Sequence, residues 1–326
     1  MNCLRRSFPD LVWICAFLLS GCASLVAQTV ELRDAGLPAG LPASVELAQV
    51  PFFPQDEYQC GPAALATVLA NAGVKVAPQD LVAQVYLPAR QGSLQVEMLA
   101  AARRNGLVSY QLAPNHEALL RELAAGTPVI VLQNLGFVEG WHYAVAVGYD
   151  FERGELILRS GETERRVMSF AAHEFFWRRG DYWAMVALPP GRLPVTAQED
   201  RWLSAAIAFE RLNTPEKNRM VFSAFLARWP ENLGAAIGLA NSHHAAGDLK
   251  AAEGVLRKAE SRDPGSVIVL NNLAQTLSDQ GRNEEALPII ERATAAGGPF
   301  SSEVNKTREA ILERLTSAKG AGPAPR

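Results

Sequence analysis

Hydrophobic and polar positions divide the 326-residue chain into two parts with different rhythms. In the first part the period changes from one stretch to the next. Leu65, Val68, Leu69 and Ala72 recur at i, i+3, i+4 and i+7, which predicts an amphipathic helix that starts at Cys60 and stops at Gly73. A second helical stretch covers 78–86. A third is predicted from Ser93, as its N-cap, to Arg104, with Asn105-Gly106 ending it. A strand at 108–112 and a helix at 115–125 lead to 128–133, a continuous apolar run that predicts a buried central strand. Further strands are predicted at 142–149, 155–160, 164–168 and 182–188, with a short helix at 171–178. Helices first and strands afterwards is the order of a two-layer α+β domain, here residues 48–190.

Beyond Pro194 the chain becomes Ala-rich and helical, with no strand signal and with a period of 34. Pro230 matches Pro264, Gly247 matches Gly281, and Leu239, Ala252, Leu256 and Ala259 match Leu273, Ala286, Ile290 and Ala293. This pattern resembles tetratricopeptide repeats. The resemblance implies an all-α solenoid over 197–316, with repeats at 231–264 and 265–298 and a degenerate one at 197–230, where Asn213 stands in place of the expected Gly. It also implies a polar capping helix at 301–316 and a protein partner docked by the repeats. Residues 317–326 are expected to form a disordered tail.

Composition adds exclusions. With 48% hydrophobic residues, 20% charged residues, a formal net charge of −3 and no Lys/Arg run, nothing points to nucleic acid. Residues 1–21 read as an export signal, with Arg5-Arg6 ahead of the apolar run Leu11 to Leu19. The run ends in Leu19-Ser20-Gly21-Cys22, which resembles the lipobox of bacterial lipoproteins. That resemblance implies lipid on Cys22, attachment to a membrane through it, and a place in the bacterial cell envelope. Ala23 stands where an Asp would mark inner-membrane retention, so the expected site is the outer membrane, facing the periplasm. Residues 22–47, rich in Gly, Pro and small residues, read as a tether. Of Cys3, Cys15, Cys22 and Cys60, only Cys60 then remains a free thiol, in an oxidising compartment and with no disulfide partner.

At a helix N-terminus the thiol of Cys60 meets unpaired backbone N–H groups and the positive end of the helix dipole, so its pKa is expected below the ordinary value. Thiol chemistry further needs a base, a group that holds the base, and donors for an oxyanion. His142 is the histidine of this domain on a predicted strand, whereas His116 and His173 fall on helical stretches and are expected at the surface. Gln55, five residues before Cys60, offers a side-chain amide donor beside the N–H of Cys60. No metal site and no cofactor are predicted, because Cys60 and His142 have no third ligand at useful spacing. The aromatic group Phe175-Phe176-Trp177 with Tyr182-Trp183 is expected in the core, and His243-His244 in a solvated or packing role.

Gln55…Cys60-Gly-Pro-Ala-Ala-Leu65, followed by Trp141-His142-Tyr-Ala-Val-Ala-Val-Gly-Tyr149, resembles the papain-like cysteine peptidases that process bacteriocin leaders after a double glycine. The resemblance covers residues 48–190 and implies a papain-like α+β fold and a peptide or protein substrate. It implies Cys60 as nucleophile, His142 as general base and acid, and Gln55 as oxyanion donor. Two departures stand out. Gln55 lies five positions before the cysteine where the family has six. The Asp that orients the histidine is replaced by Leu158-Arg159-Ser160-Gly161, with Ser160 in its place. Asp150 is excluded as a substitute, since eight residues along one strand span roughly 26 Å; Glu162 and Asn134 remain alternatives. Double-glycine specificity is not carried over, because the leader-trimming members are fused to a transporter and work on the cytoplasmic side. Two functions follow: an envelope-anchored cysteine peptidase whose repeats dock a partner or substrate, or a catalytically idle peptide-binding domain in a lipid-anchored assembly protein.

Overall fold

A seven-stranded antiparallel sheet forms the frame on which the first part of the chain is built. Its strands are β1 (Ser44–Glu46), β4 (Val108–Gln111), β5 (Val129–Asn134), β6 (Trp141–Asp150), β7 (Glu155–Ser160), β8 (Thr163–Ser169) and β9 (Ala184–Leu188), in the order β4-β9-β5-β6-β7-β8. A separate two-stranded pair joins β2 (Tyr86–Leu87) to β3 (Gly92–Ser93). The computed structural model describes residues 26–55, 59–136 and 140–320. They fall into two units. One holds the chain to Pro189 together with Pro194–Gln198, and the other holds Pro190–Leu193 with the chain from Glu199. Among the described residues no helix is long and apolar enough to cross a membrane.

The apolar run at 128–133 becomes β5, buried from Val129 to Gln133 between β6 and β9. Strand β6 is the longest and organises the rest. One edge pairs with β5, placing Gln133 opposite His142, and the other edge pairs with β7. Its far end also pairs with β1, through Ser44 opposite Asp150 and Glu46 opposite Gly148. A Cβ at Gly148 would stand 2.3 Å from the carbonyl oxygen of Val45, so only glycine lets β1 approach there.

Helix α2 (Cys60–Asn71) packs against β6. It differs from the expected amphipathic helix: every residue from Cys60 to Leu69 is buried, because Gly, Pro, Ala and Leu leave no polar face to turn toward water. Helices α3 (Pro78–Val85), α4 (Gln95–Arg104), α5 (His116–Ala124) and α6 (Phe170–Trp177) complete the layer system. The N-cap of α4 is Leu94 rather than the expected Ser93. Ser93 lies in β3, against Gly61, where an added Cβ would sit 2.2 Å from its hydroxyl.

The stretch expected to be a tether is folded where it is described. Residues 27–35 form helix α1 (Ala27–Ala35), and 44–46 form β1. The N-terminus of α1 is received by Glu174 of α6, whose carboxylate accepts from the N–H of Gln28 at 2.9 Å and from the N–H and hydroxyl of Thr29 at 2.7 and 2.6 Å. A carboxylate 145 residues away thus does the work of a local N-cap. The signal segment and Cys3, Cys15 and Cys22 lie outside the described residues.

The second unit is a run of helices, α7 (Glu199–Glu210), α8 (Pro215–Arg228), α9 (Leu233–Ala245), α10 (Leu249–Arg262), α11 (Val267–Asp279), α12 (Asn283–Ala296) and α13 (Ser301–Gly320). Each packs on the next around a core that includes Leu256, Leu270, Leu273, Leu277 and Ile290. The period-34 residues have physical duties. Gly247 and Gly281 both take the left-handed region, with φ of +79° and +80°, after α9 and α11. The carbonyls of Pro230 and Pro264 accept from Arg262 and Arg292. Helix α13 buries Val304 and Ile311 and runs to Gly320, so the expected disordered tail is helical as far as it is described.

Candidate active site

Cys60 is the first residue of α2, and 7% of its surface is exposed. Its sulfur lies beside a cavity of about 10 Å³, the space of one water molecule. Phe52, Phe53, Gln55, Tyr143, Ser160 and Gly161 are among the residues that share this lining. Burial pushes the Cys60 thiol above its ordinary pKa. Hydrogen bonds from the backbone N–H groups of Tyr143, Gly61 and Cys60 itself act the other way, favouring the thiolate. The expected lowering at a helix start is therefore present as a contribution but is outweighed. The helix that supplies two of these N–H groups, those of Cys60 and Gly61, is itself buried, and removing a charge from water dominates.

His142 is buried on β6, and its Nε2 lies 2.9 Å from the hydroxyl oxygen of Ser160. The sheet explains the meeting: Val145 pairs with Arg159, so Ser160 at the end of β7 stands diagonally across from His142 on one face. Gly161, with φ of +64°, opens the tight turn to Thr163, which pairs with Ser160. His142 is not among the residues lining the small cavity. Its hydrogen-bond partner Ser160 is among them, and the N–H of the following residue, Tyr143, points to the sulfur of Cys60.

Gln55 shares the cavity lining with Cys60, and its backbone N–H donates to Gly161 at 3.3 Å. Tyr143 adds a buried phenol that donates to the carbonyl of Ser93 at 3.2 Å; burial first, and the neighbouring Cys60 second, push its ionisation up. The alternative partners for His142 are placed elsewhere. Asp150 sits at the other end of β6 against Arg153. Glu162 is exposed in the β7–β8 turn. The side-chain oxygen of Asn134 accepts from the N–H of Gly136.

His116 and His173, expected at the surface, are buried. They lie 5.7 Å apart between ring centroids, packed with Phe170 and Trp177. Burial lowers His116 to about 4 and His173 well below the ordinary imidazole value. Their helices turn inward toward the sheet, which helical periodicity around a single histidine could not show. The aromatic group behaves as expected in part: Trp177 and Trp183 are buried, and Trp177 Nε1 donates to the carbonyl of Trp183 at 2.8 Å. His244 binds Asp279 at 2.9 Å, and His243 stands 3.4 Å from Asp248. Among the described residues no group of three or more His, Cys, Asp or Glu could hold a metal ion.

The Peptidase C39-like family matches residues 47–170, and two tetratricopeptide repeat families match 202–267 and 243–311. No curated protein matches the chain. Among solved structures, the peptidase domain of Streptococcus ComA, described as a bifunctional ABC transporter involved in quorum sensing, is 23% identical. It aligns over 43% of this chain and 99% of its own, with a TM-score of 0.38. The tetratricopeptide domain of Sgt2 from Aspergillus fumigatus is 19% identical over 39% of this chain and 85% of its own, with a TM-score of 0.36. The type III secretion translocator chaperone SycD of Yersinia enterocolitica is 20% identical over 36% of this chain and 85% of its own, with a TM-score of 0.34. The chain carries a Peptidase C39-like domain followed by tetratricopeptide repeats.

Proposed function

We propose that the first unit is a cysteine peptidase in which Cys60 is the nucleophile, His142 the general base and acid, Ser160 the group that orients His142, and Gln55 an oxyanion donor. The observation that carries this reading is the 2.9 Å contact of His142 with Ser160, beside a cavity that Ser160 shares with Cys60 and Gln55. With Nε2 engaged by Ser160, proton exchange with the thiol falls to Nδ1. The thiol gives its proton to Nδ1 and the sulfur attacks the peptide carbonyl. The tetrahedral oxyanion is met by the Gln55 amide and the Cys60 N–H, and the leaving amine takes the proton from the imidazolium. Water, deprotonated by the same ring, then releases the acyl group from sulfur.

A second reading, an idle peptide-binding domain, is favoured by one observation: burial raises the thiol and so disfavours the nucleophilic thiolate. Exposure of the lipid-free protein to a mixed peptide library, read by mass spectrometry, separates the two. Cleavage that disappears in Cys60→Ala and in His142→Ala supports the peptidase. Retention of peptides without cleavage, in wild type and both variants alike, supports the binding module.

In either reading the repeats present a surface to a protein partner or substrate, in keeping with the interaction families they match. Lipid on Cys22 would hold the protein to the membrane of the bacterial envelope, at the outer membrane facing the periplasm. The support for this is the Leu19-Ser20-Gly21-Cys22 sequence. Metabolic labelling with an alkyne fatty acid tests it: the label is expected on wild type and absent from Cys22→Ser.

A further inference from the structure

Three consecutive residues, Arg159 and Ser160 at the end of β7 and Gly161 in the turn after it, each grip a different part of the site. Arg159 is 6% exposed, and among the described residues its guanidinium donates to main-chain carbonyls. Nε reaches Val50 at 3.4 Å, one terminal nitrogen reaches Ala48 and Val50 at 3.2 Å each, and the other reaches Glu164 at 2.6 Å. Ser160 holds His142, and the carbonyl of Gly161 accepts the N–H of Gln55. Segment 47–55 is therefore fixed at three places: the N–H of Leu47 on Val147 at 2.7 Å, the carbonyls of Ala48 and Val50 on Arg159, and the N–H of Gln55 on Gly161. Between the last two, Phe52 and Phe53 line the cavity beside Cys60.

A cation is costly to bury, and an apolar side chain of similar length would fill the same volume without that cost. What a methionine could not supply is a rigid planar fork of donors matched to several carbonyls at once. We propose that Arg159 is a positioning residue that clamps segment 47–55 to the end of β7 and so holds the amide of Gln55 over Cys60. The part concerning Gln55 rests on the peptidase reading; the clamp itself does not.

The test uses the full chain with Arg159→Met, Arg159→Lys, Gln55→Ala and the Gln55→Ala/Arg159→Met pair. Three measurements are made: iodoacetamide labelling of Cys60 followed on its own peptide, amide hydrogen exchange, and peptide cleavage. In Arg159→Met, labelling of Cys60 is expected to rise about tenfold or more as the segment opens locally. Exchange should quicken in 47–55 and stay unchanged in β5 and β6. Cleavage should fall to the Gln55→Ala level and fall no further in the double variant. Arg159→Lys, with one ammonium for the fork, should lie between wild type and Met, and it decides the matter if the Met variant does not fold. Unchanged labelling and exchange in 47–55 would overturn the clamp, as would quickening spread equally over 47–55, β5 and β6. A wild type that cleaves nothing removes the peptidase reading alone, and labelling and exchange still decide the clamp.

Discussion

Ser160 is the residue on which the proposed chemistry can be pressed hardest, because its hydroxyl stands where the family places a carboxylate. Both partners of the contact are buried, His142 at 2% and Ser160 at 4% exposure, and the hydrogen bond measures 2.9 Å. Ser160→Ala removes the partner and leaves a buried ring nitrogen without it, a loss of about 1–3 kcal/mol in stability. Ser160→Asp replaces a neutral acceptor by a charged one, worth about 1.5–3 kcal/mol to the imidazolium once formed, or roughly one to two units in its ionisation. The same energy, felt only as His142 takes the thiol proton, corresponds to about 10–100-fold in kcat. Desolvation of the new carboxylate at this buried position works against part of that gain. The assay is peptide cleavage and iodoacetamide labelling of Cys60 across pH, with thermal melts as a control for folding. Ser160→Ala is expected to lower kcat, and Ser160→Asp to raise it and move thiol reactivity to lower pH. A folded Ser160→Asp that is slower than wild type, or a Ser160→Ala with unchanged kcat and melting, would refute the role given to this hydroxyl.

The buried histidine pair makes the first unit sensitive to acid. Imidazoles held below the ordinary value, His116 at about 4, protonate first in the unfolded chain. Stability is therefore full above about 6.5 and is lost as pH falls toward 4, by on the order of 3 kcal/mol for His116. Urea denaturation at pH 7.5 and 4.5 should show this slope, reduced in His173→Phe; a flat wild type would contradict it. Gly238→Ala puts a Cβ 2.4 Å from the ring of Phe222, so it should destabilise the repeats by about 1–3 kcal/mol, read as a lower melting transition of the second unit. Glu174→Gln weakens the acceptor for the N–H groups of Gln28 and Thr29, and should speed amide exchange in 27–35 while leaving β5 unchanged.

The parts of the fold that were legible in sequence are those with a short-range cause. Val129 to Leu132 is apolar without interruption because both its faces are covered, and the period-34 glycines recur because each helix pair needs the same left-handed turn. Two short blocks name Gln55, Cys60 and His142 as candidates and the Leu158–Gly161 stretch names Ser160; the sheet places His142 against Ser160, and Cys60 and Gln55 share a cavity lining with Ser160. What was missed has a long-range cause. Ala27–Ala35 is made of helix-tolerant residues, but what receives its N-terminus is Glu174, and Gly and Pro nearby suggested a tether instead. His116 and His173 are hidden by each other and by Trp177, a contact no single helix encodes. Arg159 carried no signal at all, because its partners are carbonyls about 110 residues earlier, at Ala48 and Val50.

The pairing of β1 with the far end of β6 also bears on the order in which the chain can acquire its structure. Ser44 meets Asp150 only after about a hundred intervening residues have been made, and Val108 waits for Leu188 in the same way. Loops of that length slow the search for the native sheet, whereas the helical pairs that follow close over a few tens of residues. A ribosome would thus have to finish most of the first unit before any of its N-terminal strand could lock, and refolding from denaturant should show the repeats recovering ahead of the sheet.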